Sequence, residues 1–463
     1  MNKITFYVFL LLTAVQAGCS NISTPAYDTA AKLPEKWDSV SDTPAQKQVS
    51  WWKDFNDPQL NKLIDKALLT NNDFAAALVR VRRAELIAGL VDTNLTPSVT
   101  ADASTTFSNT FNPPAKSRSN SASLLMSYEL DLWGKLASQR EAAGMELNAT
   151  DADCQAFALS LLGTTARLYW QLAYLNQSLE LNEVDLESAE KTLAMAKLRY
   201  ESGSVSELSV VQAEMNLLTQ QNFRGQLLQQ RVEARNALAI LFNQPPQSEV
   251  VDPPKLQDGP LPAVAAGIPA EILANRPDLH AAELRLRAAL VNIDVTRSSF
   301  YPTFSLTGFL GATSTSLQGL PQNSSASASL GLSLPFLQWN TAQLTIRVSK
   351  TQYEEALLNF RQRLYSALME VENNLAGRLQ LMDEEKKLTM LRAQAQRADS
   401  IARTRFEEGY TDIQPWLDAQ ASLRNAEHSV LLNRMNQMNN LVNLNKALGL
   451  GATSSQIVCS AKL

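Results

Sequence analysis

The chain is poor in the residues that build catalytic and metal centres. It has only two histidines and three cysteines among 463 residues. His280 and His428 lie far apart and show no ligand spacing to a cysteine, which argues against a metal site. No nucleophile, base and orienting group can be assembled, and no Walker-type loop could bind a nucleotide. We therefore expect no enzyme, no metal and no cofactor, and we expect both histidines to be solvated or hydrogen-bonded structural residues.

An excess of positive charge and long apolar runs are also missing. The formal net charge is −5, and no basic arm is visible, which argues against nucleic acid as the main partner. Beyond the N-terminus, no segment offers the roughly 18 consecutive apolar residues that a transmembrane helix requires. If the mature chain enters a membrane, it must therefore do so as strands.

The N-terminus carries an export signal. Residues 1–18 have a lysine, a short apolar run and small residues in the order of a secretory signal peptide. The four residues that end at Cys19 resemble a bacterial lipobox, in which the cysteine becomes the lipidated first residue. Residues 19–50 would then form a lipidated, extended leader, with ordinary cleavage after Ala17 as the alternative. Ser20 is not the aspartate that retains lipoproteins in the inner membrane, so an outer-membrane address is implied.

Two long stretches of the chain repeat each other at an offset of about 206 residues. This period is too long for a solenoid repeat, so the chain is a tandem duplication of one complete motif. Corresponding pairs are Pro97 and Pro302, Trp133 and Trp339, Gly203 and Gly409, and Ala213 and Ala419. The predicted segments are a first repeat at 51–243, a proline-rich connection at 244–270, a second repeat at 271–450 and a polar tail at 451–463.

Each repeat contains a predicted β-hairpin, and in the first repeat a helical pattern from Trp51 to about Asn94 precedes it. Apolar and polar residues alternate in the strands, which places one face on lipid or core and the other in water. The predicted strands are Ser98 to Phe107, Leu124 to Leu132, Thr303 to Leu310 and Leu330 to Phe336. Their lengths approach the roughly 9–11 residues of a tilted membrane strand. Trp133 and Trp339 end the two hairpins like membrane-interface aromatics.

A long helical hairpin follows each β-hairpin. Leucines recur every seven residues and alanines fill the companion seam, which indicates a left-handed coiled coil. An unbroken helix from about Lys135 to Tyr200 would be roughly 100 Å long at 1.5 Å per residue. The predicted end signals are Gly203 and Gly409, the predicted start signals are capping boxes at 204–207 and 411–414, and the return helices run to about Phe242 and Leu448.

Two further cysteines remain in the mature chain. Cys154 and Cys459 could pair in an oxidising periplasm. Because one lies in a helical pattern and the other in the polar tail, we expect two unpaired thiols instead.

Four strands per chain are too few to close a membrane barrel, because about eight are needed before the interior holds even side chains. An open sheet in lipid would leave backbone groups unsatisfied at a cost of several kcal/mol each. If the strands are membranous, the chain must therefore oligomerise, and three chains rather than two would leave a real pore. The alternative, in a soluble protein, is a small sheet that caps a helical bundle.

With these features, the sequence resembles the TolC-like outer-membrane efflux factors, and specifically the lipoprotein branch that serves resistance-nodulation-division pumps. The resemblance runs from about Trp51 to Gly451. The motifs that carry it are Tyr128 to Lys135, Arg276 to Leu279 with Ala282 and Glu283, Tyr301 with Pro302, and Leu417 to Gln420. It implies a mainly α-helical homotrimer with a 12-stranded outer-membrane β-barrel, four strands from each of three chains. A 12-helix periplasmic tunnel and an equatorial collar, built from the inter-repeat segments and termini, would complete it.

The resemblance also implies where the functional residues lie. We call the turn of each helical hairpin, at Gly203 and at Gly409, its tip. A periplasmic gate would form near the second tip, with Asp418 at the family's gate aspartate and Gln414 and Tyr410 at neighbouring constriction positions. Three Asp418 carboxylates would favour cations between them, and the alternative for Asp418 is a solvated charge on a helix face. The residues that match the family's adaptor-docking grooves are Arg199, Tyr200, Gly203, Arg405, Phe406 and Gly409. Their alternative is a well-capped helical turn.

The implied function is the exit duct of a tripartite efflux pump. The duct would passively conduct drugs or other small toxic molecules from an inner-membrane resistance-nodulation-division transporter, through a periplasmic adaptor, to the exterior. Rival interpretations are a duct for type I secretion or heavy-metal efflux, and a periplasmic coiled-coil scaffold without a pore. We expect a lipid-anchored protein in the outer membrane of a Gram-negative bacterium, with most of its mass in the periplasm.

Overall fold

The computed structural model describes residues 34, 36–38, 50–264, 269, 275–451 and 459. The predicted signal peptide, Cys19, most of the leader and most of the tail lie outside these residues. The described part is a long, mainly helical molecule with one β-sheet at one end.

The N-terminal helical stretch is broken rather than continuous. A 3-10 helix at Trp51–Phe55 is followed by α1 (Pro58–Thr70) and α2 (Asn72–Asp92). Asn71 interrupts the predicted single helix because its backbone is extended and its side chain accepts the amide of Phe74, so it caps α2. A short 3-10 turn, Thr93–Leu95, then leads to the sheet.

One antiparallel sheet contains strands from both repeats. The strands are β1 (Ser98–Phe111), β2 (Pro114–Leu130), β3 (Thr303–Ser314) and β4 (Ser324–Ser333), in spatial order β1-β2-β3-β4. The two hairpins join where β2 pairs with β3, with Tyr128 opposite Leu306. All four strands extend beyond the predicted segments at the hairpin-loop end, and β2 and β4 stop two and three residues before their predicted ends. These extensions are rich in Ser, Asn and Thr, and such residues carry no apolar alternation that a sequence pattern could detect.

Two long helical hairpins leave the other end of the sheet. The outgoing helices are α3 (Lys135–Glu201, 67 residues) and, after α5 (Pro277–Ser298), α6 (Trp339–Glu407, 69 residues). The return helices are α4 (Glu207–Leu241) and α7 (Gln414–Ala447). Each outgoing helix is therefore roughly 100 Å long, as the sequence predicts. None of the helices in the described part carries an apolar stretch suited to crossing a bilayer.

The main core lies at the middle of the long helices, where α1 and α2 pack against α3. Trp52 and Trp170 are fully buried there, and Phe55 packs against Trp170 at a ring-centroid distance of 4.8 Å. We call this region the equator. The same core contains a disulfide between Cys154 and Cys459, so the prediction of two unpaired thiols is wrong. Cys459 therefore lies against α3, which a polar sequence pattern does not reveal.

The proline-rich connection crosses the second helical hairpin at the equator. Arg434 of α7 donates hydrogen bonds to the carbonyls of Gln257 and Gly259, and Arg378 of α6 donates to the carbonyl of Pro262 at 3.2 Å. Burial lowers the pKa of both arginines. The connection is thus held to α6 and α7 by backbone carbonyls that accept from arginine.

Candidate functional sites at the helical tips

Both outgoing helices end in the same turn. The amide of Gly203 donates to the carbonyl of Tyr200 at 2.9 Å, and that of Ser204 donates to the carbonyl of Arg199 at 2.8 Å. The amides of Gly409 and Tyr410 make the equivalent bonds in the second repeat. With φ of 75° and 81°, the two glycines occupy the left-handed region. These are Schellman motifs, so the predicted end signals are confirmed.

The predicted start signals are wrong. Helix α4 begins at Glu207 after Ser206, and α7 begins at Gln414 after Ile413, and neither preceding side chain caps the helix. In the first tip, the Ser204 hydroxyl instead lies 2.9 Å from that of Ser202. Each return helix begins at the last residue of its predicted box, so Ser204 and Thr411 lie two residues ahead of the N-cap position and cannot cap the helix.

The two tips of one chain contact each other through Arg199 at the end of α3. Its guanidinium donates to the carbonyls of Phe406 and Glu407 at the end of α6, and it lies 4.6 Å from the centre of the Phe406 ring. The last carbonyls of a helix lack intrahelical donors and carry partial negative charge, so a cation there is stabilising. Arg199 therefore caps the second tip.

A small apolar cluster lies beneath this contact. We call it the tip cluster; its buried members are Ala196, Ala213, Phe406, Ile413, Trp416 and Leu417. Trp416 also donates from Nε1 to Asp399 at 3.1 Å. Of the six predicted docking residues, Phe406 is fully buried and Arg199 is half-buried in this contact. The remaining four are exposed: Tyr200, Gly203, Arg405 and Gly409.

The three predicted gate residues lie on one exposed surface at the second tip. The Gln414 amide donates to Asp418 Oδ1 at 2.7 Å, one helical turn away on α7. The Tyr410 side chain, 76% exposed, extends from the turn that precedes them. A carboxylate, an amide and a phenol are therefore exposed to solvent at the second tip.

The motif that begins at Arg276 joins three helices at the equator. Arg276 precedes α5 and donates to Asp278 at 2.7 Å, to Glu370 of α6 at 2.7 Å and to the carbonyl of Ala447 in α7 at 3.2 Å. Burial alone would raise the pKa of Asp278, but the hydrogen bonds and charge of Arg276 outweigh it and lower that pKa. The motif is therefore structural.

The two predicted interface tryptophans lie where strands give way to helices. Trp133 is half-exposed, donates from Nε1 to the carbonyl of Pro302 at 2.7 Å, and packs edge-on against Tyr301 at 5.5 Å. Trp339 is the first residue of α6 and is more exposed. Both rings thus lie at the boundary between the sheet and the long helices.

Sequence reasoning missed a buried ionisable pair between α3 and α7. Asp185 Oδ2 lies 4.0 Å from His428 Nε2, and neither ring nitrogen of His428 has a hydrogen-bond partner among the described residues. Burial raises the pKa of Asp185 to about 6; the charge of Arg424 opposes this shift and that of Glu427 adds to it. Burial, and then the charge of Arg424, lower the pKa of His428.

The prediction that His428 is solvated or hydrogen-bonded is therefore wrong, whereas His280 is exposed as expected. The ring of His428 packs edge-on against Phe223 of α4 at 5.2 Å, so it fills an apolar position of the coiled coil. A lone histidine in a polar helix gives no signal of such packing.

Comparison with known proteins agrees with this architecture. Residues 63–244 and 268–450 match the outer membrane efflux protein family. The chain is 29% identical to the toxin and drug export protein A of Aggregatibacter actinomycetemcomitans, over 94% of this chain and 95% of that protein. It is 30% identical to the pyoverdine export outer membrane protein OpmQ of Pseudomonas putida, over 94% of each.

A solved structure of the outer-membrane channel OprN superposes with a TM-score of 0.82 at 27% identity, over 93% of this chain and 99% of that one. The matched regions are the two repeats, with their long helical hairpins and β-hairpins. The chain belongs to the outer membrane efflux protein family.

Proposed function

We propose that the protein is the outer-membrane exit duct of a tripartite efflux pump and passively conducts drugs or other small toxic molecules to the exterior. The observation that carries the proposal is the joining, in one chain, of a four-stranded antiparallel sheet to two helical hairpins roughly 100 Å long. A sheet of this kind suits an outer membrane, and helices of this length suit the periplasm beneath it.

Three copies would build the duct. Strands β1 and β4 each have one unpaired edge within the described chain, and an unpaired edge in lipid costs several kcal/mol per backbone group. Pairing β4 of one copy with β1 of the next would satisfy both edges. Twelve strands, four from each of three copies, would leave a lumen, and the helical hairpins would continue it as a tunnel.

A single test separates the duct from a scaffold without a pore. Purified protein in planar bilayers should conduct. Asp418→Asn should raise the conductance if Asp418 belongs to the gate, whereas Asp412→Asn, the loss of an exposed carboxylate on the same tip, should not. Protein that never conducts, even with Asp418 neutralised, would favour the scaffold.

The proposed partners are a periplasmic adaptor and an inner-membrane resistance-nodulation-division transporter. Docking would use Gly203 and Gly409, because a side chain added at either would meet open space. Leucine at both positions should abolish crosslinking to the adaptor and leave the oligomer intact. Gly134→Leu is the matched control: Gly134 has the same left-handed φ and open surroundings, but it lies at the sheet end of α3.

We further propose that Cys19 is lipidated and anchors the leader in the outer membrane. The pairing of Cys154 with Cys459 leaves Cys19 as the odd cysteine, and an unpaired cysteine in an exported protein needs a separate role. Cells fed labelled palmitate should label the wild type and leave Cys19→Ser unlabelled. Label that persists in this variant would overturn the anchor.

Ducts for type I secretion or for heavy metals remain the alternatives. Deletion of the gene should sensitise cells to drugs if the proposal holds. Sensitivity to metal ions alone, or loss of a secreted protein alone, would favour one of the alternatives.

A further inference from the structure

In the contact between the two tips, the first repeat supplies the donor and the second repeat supplies the acceptors. Because the repeats are similar in sequence, the same contact could also form from the second repeat to the first repeat of another copy. Within one chain, Arg199 of the first repeat reaches the end of α6 in the second repeat. It donates to the carbonyls of Phe406 and Glu407, and its guanidinium covers the Phe406 ring. The contact therefore runs from the first repeat to the second.

Every residue of this contact has a counterpart about 206 positions away in the sequence. Arg405 corresponds to Arg199, and Tyr200 and Glu201 correspond to Phe406 and Glu407. The arginine and the aromatic ring are both kept. Arg405, however, is exposed, and its side chain makes no hydrogen bond or ion pair with the part of the chain that the structure describes.

The aromatic ring and the two alanines near it also have counterparts. Phe406 clusters with Ala196 and Ala213 of the first repeat and is fully buried. The counterparts of these two alanines are Ala402 and Ala419, so the second repeat offers the same small side chains. Tyr200, the counterpart of Phe406, is 48% exposed. One copy of the chain thus has one buried ring, Phe406, and one exposed ring, Tyr200, at equivalent positions.

We propose that Arg405 of one copy caps the end of α3 in the next copy. Its guanidinium would donate to the carbonyls of Tyr200 and Glu201 there and would cover the Tyr200 ring. The occupant of this surface is a second copy of the chain, and the inference rests on the oligomeric duct proposed above. Each copy then makes one such contact within itself and one to its neighbour, so the ring of tips closes.

The contact within a chain and the contact between chains would differ in how easily they separate. The contact made by Arg199 joins hairpins that the chain also connects at the equator. The contact made by Arg405 joins separate chains, which can move apart at the tips while their sheets stay paired. Opening of the duct would therefore break the contacts of Arg405 first.

Crosslinking of matched cysteine pairs tests the proposal. Arg199→Cys with Glu407→Cys should react with a short bis-maleimide within one chain and give a monomer band in denaturing gels. Arg405→Cys with Glu201→Cys is the counterpart pair, and it should give dimer and trimer bands. The native disulfide leaves Cys154 and Cys459 unreactive, and the wild type reports the background from Cys19.

The outcomes separate the inference from the function on which it rests. If the counterpart pair gives only monomer bands while the native mass shows an oligomer, the cap between copies is wrong and the duct stands. If the native mass shows single chains, both are wrong.

Conductance provides a second readout that a failed crosslink would not affect. Arg405→Gln should raise the open probability in planar bilayers several-fold. The open probability of Arg405→Lys should lie between those of the wild type and Arg405→Gln, because lysine keeps the charge but cannot bond two carbonyls as a planar fork. Arg397→Gln, which removes an exposed arginine from the same helix, should leave the open probability unchanged. Equal effects at positions 405 and 397 would overturn the proposal.

Discussion

The equator and the tips both hold the two repeats together, but they do so with very different amounts of buried surface. The equator buries several tryptophans, a disulfide and the bonds of Arg276 to three helices. The tips bury one small cluster under a single arginine, Arg199. Since apolar stabilisation grows with the area removed from water, the equator is a fixed support and the tips can separate at modest cost.

The same comparison bears on the proposed gate. A coiled coil that is fixed at its middle can change its ends by small rotations of each hairpin. The exposed residues Tyr410, Gln414 and Asp418 lie at that movable end. Substitutions at the equator should therefore change the stability of the whole protein, whereas substitutions at the tips should change conductance and local motion.

Trp52→Ala should have the largest effect, because it removes a fully buried side chain from the equatorial core. We expect a loss of about 3–5 kcal/mol, seen as a lower melting temperature and a lower yield of oligomer. Leu69→Ala is the control, since Leu69 is exposed on α1. A similar loss from both variants would mean that the equator is not the support.

Cys459→Ser should have the next largest effect on stability. Removal of a disulfide typically costs about 2–4 kcal/mol. Cys154→Ser and the double variant should lose the same amount, because each abolishes one bond, and all three should lose the faster migration of the oxidised chain in non-reducing gels. Additive losses in the double variant would contradict the pairing.

Phe406→Ala should act locally at the tips. The melting temperature should hardly change, but amide exchange at the ends of α3 and α6 should accelerate by more than about tenfold, since each decade corresponds to about 1.4 kcal/mol. Leu198→Ala, at an exposed position near the same tip, should not accelerate it. A large fall in melting temperature would show that the tips support the fold as well.

Asp185→Asn should have a small effect that depends on pH. The pKa of Asp185 is raised to about 6 from 3.8, so its stabilising contribution is present below pH 3.8 and is lost as pH rises through about 6. Asparagine stays neutral, so the variant should melt a few degrees higher than wild type at pH 8 and the gain should shrink at pH 5. An equal gain at both pH values would contradict the cause.

His428→Gln sharpens this prediction because its pH dependence has the opposite sign. The lowered pKa of His428 means that the unfolded chain takes up a proton first as pH falls below about 6.5. Wild type therefore loses stability below that pH, and the variant should not. The relative gain of His428→Gln should appear at pH 5 and be absent at pH 8.

Features that depend on residues close together in the sequence were predictable. The outgoing helices and the left-handed glycines 203 and 409 agree with the structure because heptads and helix-end signals depend on neighbouring residues. The strands were found but were drawn too short, since Pro114 to Ser123 of β2 carry no apolar alternation. The capping boxes failed because the return helices begin only at Glu207 and Gln414, too far along the chain for Ser204 and Thr411 to cap them.

Features that depend on distant residues were not predictable. Cys154 and Cys459 are 305 residues apart, and nothing local to either indicates that the two meet at the equator. The role of Arg199 depends on the neighbouring tip, and the burial of His428 depends on Phe223 in another helix. In each case the physical cause is tertiary packing that brings together segments whose own patterns are ordinary.

The central claim is that several copies pool their four-stranded sheets around one lumen. The most direct test is the native mass of protein extracted gently in detergent. We predict the mass of three chains, and we predict that disruption of the sheet edges of β1 and β4 abolishes it. Single chains under the same gentle conditions, in a protein that still shows its full helical and strand content, would contradict it.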